Sequence, residues 1–312
     1  MHSATDVTAS PRDCHWDVDG LRLSGLAWGP QDGIPVLALH GWMDHSGSFQ
    51  ELAPRLTGCH VVALDLSGHG QSAHRAAHAT YNIWDDLPQI AEVLDQLGWD
   101  SCVLLGHSRG AIIATLFAAV LPEKVRGLIA LDSLLPEPAA PDSFVKTLRA
   151  FIEGNRRQKS RPARVFEARR DYLERRSAQG NSPAIADALA DRALEPLPDG
   201  FRMRADLRLF ASSAVRLTLP HIETVLRALE CPVLNIWAKD SADIATANLQ
   251  QMLARCKELV KYYRSIELQG DHHFHLNPEI GAEISRLALD FIVDAKLSAD
   301  QNGAPGPDAV TL

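Results

Sequence analysis

The chain has 312 residues, of which 46% are apolar, so it is long enough to bury a substantial core without disulfide or metal support. Its formal net charge of −8 argues against a general nucleic-acid-binding protein, which would present a basic surface. The five cysteines are odd in number and scattered, without metal-site spacing, and this pattern predicts free thiols in a reducing compartment.

Neither a targeting segment nor a membrane-spanning segment is predicted. The N-terminal residues carry no basic cluster and no apolar stretch, unlike a secretory signal peptide. The longest apolar run, residues 111–121, is too short to cross a bilayer. We therefore expect a cytoplasmic protein that binds neither membranes nor nucleic acid and is a monomer or a homodimer.

Strands and helices alternate through the first part of the chain. Residues 15–18 and 21–28 alternate in polarity around Asp19 and Gly20, which is a preferred hairpin pair. Later runs that are apolar, as interior strands are, occupy residues 34–39, 61–64, 101–105 and 125–131. Helical spacing separates them at residues 48–56, 81–97 and 111–121. This order predicts an α/β fold, with a mostly parallel central sheet covered by helices on both faces.

The alternation breaks after Asp132. Prolines mark a boundary from Pro136, and residues 143–229 contain helical segments but no convincing strand. This stretch includes a basic run: Arg156, Arg157, Lys159, Arg161 and Arg164. We favour a solvated helix face for this run; the alternative is attraction of an anionic substrate or an acidic protein surface.

The sheet pattern resumes near the C-terminus. Strands are predicted at residues 231–237 and 262–268, with a helix at 244–259 between them and a last helix from Pro278 to about residue 295. The predicted units are a core of residues 13–135 and 230–296, an inserted helical cap of residues 136–229, and disordered ends at residues 1–12 and 297–312.

One motif lies on the turn between a predicted strand and a predicted helix. Residues 106–110 read GHSRG, and Gly106 and Gly110 leave no side chain where the helix must close against the strands. The backbone can then bend sharply enough to lift the Ser108 hydroxyl clear of the sheet, as a nucleophile requires. The alternative is a glycine-rich turn that only packs a helix on a sheet.

A serine nucleophile needs a histidine to take its proton and a carboxylate to hold that histidine. The base is expected in the loop after the last strand, residues 269–278, where three histidines compete. We choose His272, with His275 as runner-up, and expect His273 to point away. No carboxylate or thiolate constellation supports a metal site there, and no cofactor is expected.

The carboxylate has more than one candidate. Asp132 ends one strand, whereas Asp240 and Asp243 follow the next-to-last strand, and both locations can reach the histidine. Each of these aspartates could instead be a turn or helix cap. The oxyanion donors are expected to be the backbone N–H groups of Arg109, after the nucleophile, and Trp42, after the third strand.

Four motifs together resemble the α/β-hydrolase superfamily: HGWMD at residues 40–44, DLSGHGQS at 65–72, GHSRG at 106–110 and GDH at 270–272. More narrowly, residues 39–49 and 105–110 look like the group called serine hydrolase-like proteins. The resemblance implies a serine hydrolase with an α/β-hydrolase fold.

The resemblance also bears on the acid and on the reaction. Relatives with the acid after the sixth strand place a carboxylate where Asp132 stands. Relatives with the acid one strand later carry a Gly-x-x-Asp turn, and here Ser241 occupies the aspartate's place, with Asp240 one position early. The resemblance therefore favours Asp132. Dehalogenases and epoxide hydrolases would carry aspartate in place of Ser108.

The resulting hypothesis is a serine hydrolase that cleaves a small ester, thioester or lactone by a Ser108–His272–Asp132 triad through an acyl-enzyme. One alternative is a C–C bond hydrolase or a cofactor-free haloperoxidase with the same triad. The other is a degenerate hydrolase fold that serves as a non-catalytic binding module.

Overall fold

The computed structural model describes residues 10–178, 181–241 and 247–302, excepting the side chains of residues 247–249 and 295–302. The predictions of disorder at residues 1–12 and 297–312 fall partly outside the described residues, which exclude residues 1–9 and 303–312. In the structure, Arg12 already belongs to the first strand, and the last helix continues to Asn302 instead of ending near residue 295. The helix continues because residues 296–302 contain neither proline nor glycine.

The described part of the chain contains eleven strands and eight α-helices. The strands are β1 Arg12–Val18, β2 Leu21–Trp28, β3 Ile34–Leu39, β4 Cys59–Asp65, β5 Cys102–His107, β6 Val125–Leu131, β7 Val165–Phe166, β8 Leu194–Leu197, β9 Gly200–Met203, β10 Val233–Ala238 and β11 Tyr263–Leu268. The helices are α1 Leu87–Leu97, α2 Arg109–Val120, α3 Phe144–Lys159, α4 Arg169–Ser177, α5 Pro183–Ala193, α6 Leu219–Arg227, α7 Ala247–Leu259 and α8 Pro278–Asn302.

The prediction of a helix at residues 48–56 was wrong. Two short 3₁₀ turns, Ser46–Phe49 and Ala53–Arg55, lie there instead. Pro54 has no N–H with which to continue a helix begun upstream, and Gly47 lowers helix propensity.

Eight strands form one sheet in the order β1-β2-β4-β3-β5-β6-β10-β11. Strands β1 and β2 form an antiparallel hairpin, and β2 pairs antiparallel with β4; all other neighbours are parallel. Asp19 and Gly20 both have positive φ, 50° and 76°, as the predicted hairpin turn requires. The α/β class and the mostly parallel sheet are thus confirmed.

Both faces of this sheet are buried. Along β3, Leu37 and Leu39 pack into one apolar cluster with α1 and α2, while Val36 and Ala38 pack into a second cluster with α8. Successive strand residues point to opposite faces, so a strand covered on both sides must be apolar throughout. The carboxyl ends of the parallel strands therefore meet at one edge, where loops can collect polar side chains.

The segment between β6 and β10 contains α3 to α6, together with a second sheet in which β9 pairs antiparallel with β7 and β8. We call the segment, residues 132–232, the insertion. The expectation that it contains no strand was wrong. These three strands have only two to four residues each, too few for an alternating pattern to be recognised.

Buried charge joins the insertion to the core. Arg192 of α5 donates from Nε to Asp65 Oδ2 at 2.8 Å, where β4 ends, and the Asp65 side chain is fully buried. Burial raises the pKa of Asp65, but Arg192 and two backbone N–H donors, from Ser46 and Gln71, outweigh burial and hold this pKa below its usual value. No helix of the described residues combines the length and the apolar character that crossing a lipid bilayer requires.

Candidate active site

Ser108 lies on a sharply bent turn between β5 and α2. Its backbone angles are φ 51° and ψ −120°, a strained conformation for a residue with a side chain, and its N–H donates to the Leu131 carbonyl at 3.0 Å. A Cβ atom on Gly110 would overlap the carbonyl of Leu39, and one on Gly106 would overlap the backbone of Ala111. The two glycines thus permit the close packing that the sequence predicts.

The structure brings Ser108, His272 and Asp132 into one hydrogen-bonded chain. His272 Nε2 lies 2.9 Å from Ser108 Oγ, and His272 Nδ1 lies 2.6 Å from Asp132 Oδ2. The Asp132 side chain is fully buried, whereas about a third of the His272 side chain is exposed. Carboxylate, imidazole and hydroxyl therefore stand in the order that general-base activation of an alcohol requires.

Asp132 is fixed from a second side. Its Oδ1 accepts the backbone N–H of Ala238 at 3.0 Å, and its own N–H donates to the Ile236 carbonyl at 2.8 Å. The residue has a positive φ of 48°, which turns the chain out of β6 at this point. The neighbouring strand β10 thus holds the carboxylate in place.

The other two carboxylate candidates have different positions. Asp240 accepts hydrogen bonds from Gln269 Nε2 at 2.8 Å and from the Gly270 N–H at 3.2 Å, at an exposed turn. Its carboxylate thereby supports the start of the His272 loop. Asp243 lies outside the described residues.

The two remaining histidines of the loop contact different groups. His275 is fully buried with its ring centroid 4.0 Å from that of His107, and burial lowers the pKa of His275 to about 3. The expectation that His273 points away was wrong: it lines the cavity described below and lies 3.2 Å from Asp44 Oδ2. Its other ring nitrogen, Nδ1, accepts from the Asn181 side-chain amide at 3.0 Å, so Nε2 carries the proton that it donates to Asp44.

Asp44 connects the His272 loop, residues 269–278, to the insertion, a role that the sequence did not predict. Its Oδ1 accepts from Arg176 of α4 at 2.9 Å, and its Oδ2 accepts from His273. Burial raises the pKa of Asp44, but His273 and Arg176 outweigh it and hold the pKa well below its usual value. The available signal was the position of Asp44 two residues after Trp42, at the end of the HGWMD motif.

His107 holds the backbone of His272. Its Nε2 lies 2.8 Å from the His272 carbonyl and donates to it. Burial, and then the neighbouring His275, lower the pKa of His107 well below its usual value, so the ring is neutral. The residue just before the serine therefore hydrogen-bonds to the loop that carries the histidine.

The two backbone N–H groups expected to bind an oxyanion have no hydrogen-bond partner in the described chain; Arg109 follows Ser108 directly, and Trp42 lines the same cavity as Ser108. Among the described residues, neither the Arg109 nor the Trp42 backbone N–H donates to a protein acceptor. Their side chains are occupied elsewhere: the Trp42 indole donates to the Leu209 carbonyl at 3.0 Å, and Arg109 contacts Asp86 at 3.2 Å. Unpaired backbone donors are suited to bind an oxyanion.

A cavity of about 1000 Å³ opens onto the serine and the histidine. The insertion supplies much of its wall, including the apolar side chains of Phe166, Tyr172 and Phe210. Across the described parts of the chain, no group of three or more His, Cys, Asp or Glu side chains is arranged to hold a metal ion. The volume of the cavity and its apolar wall suit an organic group of moderate size beside the Ser108 hydroxyl.

Comparison with known proteins agrees with this architecture. The family model for the alpha/beta hydrolase fold matches residues 34–277. A serine hydrolase-like protein of Danio rerio is 32% identical over 282 residues, covering 87% of this chain and 85% of that protein. A hypothetical protein from Pseudomonas aeruginosa PAO1, of known crystal structure, is 36% identical with a TM-score of 0.84, covering 90% of this chain and 99% of that one.

A thioesterase domain from the curacin biosynthetic pathway also shares the fold, at 24% identity and a TM-score of 0.76, covering 91% of this chain and all of that one. This similarity speaks to the fold alone. The match to the family model and the relative from Danio rerio speak to the family. The chain belongs to the α/β hydrolase fold family and, within it, to the serine hydrolase-like proteins.

Proposed function

We propose that this hydrolase cleaves a small ester, thioester or lactone through an acyl-enzyme on Ser108, with His272 as general base and Asp132 as the orienting acid. The observation that carries the proposal is the continuous hydrogen-bonded chain from the serine hydroxyl through both imidazole nitrogens to the buried carboxylate.

The steps follow from the positions of these groups. Ser108 Oγ attacks the acyl carbon while His272 Nε2 takes the hydroxyl proton, and the buried Asp132 carboxylate stabilises the imidazolium that forms. The backbone N–H groups of Arg109 and Trp42 donate to the oxyanion, and such a donor contributes roughly 2.7–4 kcal/mol of transition-state stabilisation. His272 then returns the proton to the leaving group as the bond to the acyl carbon breaks.

Water completes the turnover. His272 takes a proton from a water molecule, the resulting hydroxyl attacks the acyl-enzyme, and the proton returns to Ser108 Oγ as the acid product leaves. The partly exposed His272 ring and the cavity beside it leave room for that water. The reaction needs no cofactor in this scheme.

Labelling with a fluorophosphonate tests the proposal. The folded protein is expected to gain one label per chain at Ser108, and Ser108→Ala is expected to gain none while keeping the same circular dichroism spectrum. Asp240→Asn is the matched control and is expected to label normally. Absence of labelling in the folded wild-type chain, or equal labelling of Ser108→Ala, would reject a serine nucleophile.

A further inference from the structure

Three arginines of the insertion line the same cavity as the serine. Arg161 and Arg164 lie between α3 and β7, and Arg175 lies in α4. The favoured interpretation of the basic run, a solvated helix face, therefore fails for Arg161 and Arg164, which come after the last residue of the helix. Arg164 is partly buried, whereas Arg161 and Arg175 are exposed, so the three lie where the cavity meets solvent.

These three side chains have no acidic partner within the described chain. Other arginines of the insertion do: Arg176 contacts Asp44 and Arg192 contacts Asp65. Asp44 is also the one carboxylate among the described residues lining the cavity, and it already accepts from Arg176. Arg161, Arg164 and Arg175 are therefore available to bind an anion from solution.

Arg161 and Arg175 both lie close enough to Arg164 to repel its charge. Partial burial, then Arg175 and Arg161, lower the pKa of Arg164 below its usual value. Like charges gathered beside a partly enclosed space destabilise the empty protein, and an anion placed among them would relieve this repulsion. Guanidinium groups donate in pairs to phosphate and carboxylate oxygens, which makes these anions the suitable partners.

The rest of the wall limits what else the substrate carries. Phe166 and Tyr172 meet edge to face with ring centroids 5.7 Å apart, and both line the cavity. An apolar segment of substrate can pack there while an anionic group meets the guanidinium groups.

We propose that the substrate is an acyl ester or thioester with a phosphate or carboxylate group remote from the bond that is cleaved, and that Arg161, Arg164 and Arg175 bind this group. The identification of the scissile bond rests on the function proposed above; the anion site itself does not.

Two matched substrate pairs test the proposal. Mono-p-nitrophenyl succinate and p-nitrophenyl butyrate differ by a carboxylate on the acyl side. S-hexanoyl-4′-phosphopantetheine and S-hexanoylpantetheine differ by one phosphate on the leaving group. In at least one pair, kcat/KM of the anionic member is expected to exceed that of its neutral partner by about tenfold or more, because each charge-assisted hydrogen bond contributes about that factor.

In that pair, the variant Arg164→Gln/Arg175→Gln is expected to raise KM for the anionic substrate by about tenfold relative to KM for the neutral substrate. The control Arg156→Gln/Arg157→Gln removes two exposed charges of α3 that do not line the cavity and is expected to leave the ratio unchanged. Equal effects of both variants would overturn the proposal, since they would indicate a general charge effect.

Binding without turnover separates this proposal from the proposed function. Calorimetry on Ser108→Ala is expected to detect binding of free 4′-phosphopantetheine or of succinate, lost in Ser108→Ala/Arg164→Gln/Arg175→Gln. Neutral esters that are hydrolysed with no anion preference, together with no anion binding to Ser108→Ala, would overturn the anion site and leave the hydrolase in place. Anion binding to Ser108→Ala, together with no fluorophosphonate labelling of the wild-type chain, would keep the anion site and reject the serine nucleophile.

Discussion

His272 and Asp132 lie 140 residues apart in the chain, yet the nitrogen Nδ1 of one and the oxygen Oδ2 of the other are separated by 2.6 Å. The second oxygen of Asp132 accepts the N–H of Ala238 from the adjacent strand. The carboxylate is thereby held from two directions. Its contact with Nδ1 selects the histidine tautomer that carries the proton on Nδ1, and this leaves Nε2 free to accept the serine proton.

Replacing the buried carboxylate should disable the histidine. Asp132→Asn is expected to lower kcat on p-nitrophenyl acetate by about 10³–10⁴, because an amide at this position can favour the wrong imidazole tautomer. Asp240→Asn removes a carboxylate of the exposed turn and should change kcat by less than about threefold. If Asp240→Asn abolishes turnover and Asp132→Asn retains it, the assignment of the acid is wrong.

The buried Arg192–Asp65 pair is expected to dominate the attachment of the insertion. Arg192→Leu leaves Asp65 buried and without its cation, which should lower the free energy of unfolding by about 3–5 kcal/mol. Arg202 also belongs to the insertion and pairs with Glu195, but that pair is half exposed. Arg202→Leu should therefore cost less than about 1 kcal/mol in urea denaturation. Similar losses for both variants would contradict the assigned role of Arg192.

Close packing under the serine turn can be tested with two glycines. Gly110→Ala places a Cβ against the Leu39 carbonyl and is expected to cost about 1–3 kcal/mol or more, because the backbone must shift. At Gly154, within α3, a Cβ would meet Ala211 at an ordinary 3.4 Å. Gly154→Ala should therefore stabilise the protein by about 1 kcal/mol, the difference in helix propensity. Thermal unfolding measures both, and equal shifts would refute the overlap at Gly110.

Acid should destabilise the fold through its buried imidazoles. Burial lowers the pKa of His275 to about 3 and that of His40 to about 4, so below the ordinary histidine pKa the unfolded chain binds more protons than the folded chain. The contribution of these rings to the free energy of unfolding is fully present above their ordinary pKa, near 6.5. It is lost as the pH falls toward their pKa values in the folded protein, by about 1.4 kcal/mol per pH unit for each ring.

Replacing one ring isolates this effect. His275→Leu is expected to reduce the slope of unfolding free energy against pH by about 1.4 kcal/mol per unit between roughly pH 6 and pH 4, measured by urea titration. The exposed His78→Leu is the control. An unchanged slope in His275→Leu would show that the ring titrates normally in the folded protein.

Much of the core could be predicted because its signals are local. The run of β3 is apolar because both sheet faces are covered, and the glycines at 106 and 110 stand beside the serine whose turn they permit. The boundary after Asp132 was likewise marked by prolines. A short-range sequence pattern is sufficient to predict a segment whose backbone conformation and burial are set by its neighbours in sequence.

The rest depends on contacts between distant segments. The sequence offered three aspartates for one role, and only the pairing of β6 with β10 brings Asp132 against the N–H of Ala238. The role of Asp44 depends in the same way on α4 and the His273 loop. The strands of the insertion were missed because pairing, rather than patterning, defines strands of two to four residues.

The contacts of Asp44 have a mechanical consequence. Arg176 of the insertion and His273 of the His272 loop both contact the buried Asp44 carboxylate, which thereby links the insertion to that loop. Swinging the insertion away like a lid would separate Arg176 from the Asp44 carboxylate, which is unfavourable because the carboxylate would lose its cation. Residues 161–163 also line the cavity and are exposed to solvent. A ligand that entered past them would leave the contacts of Asp44 intact.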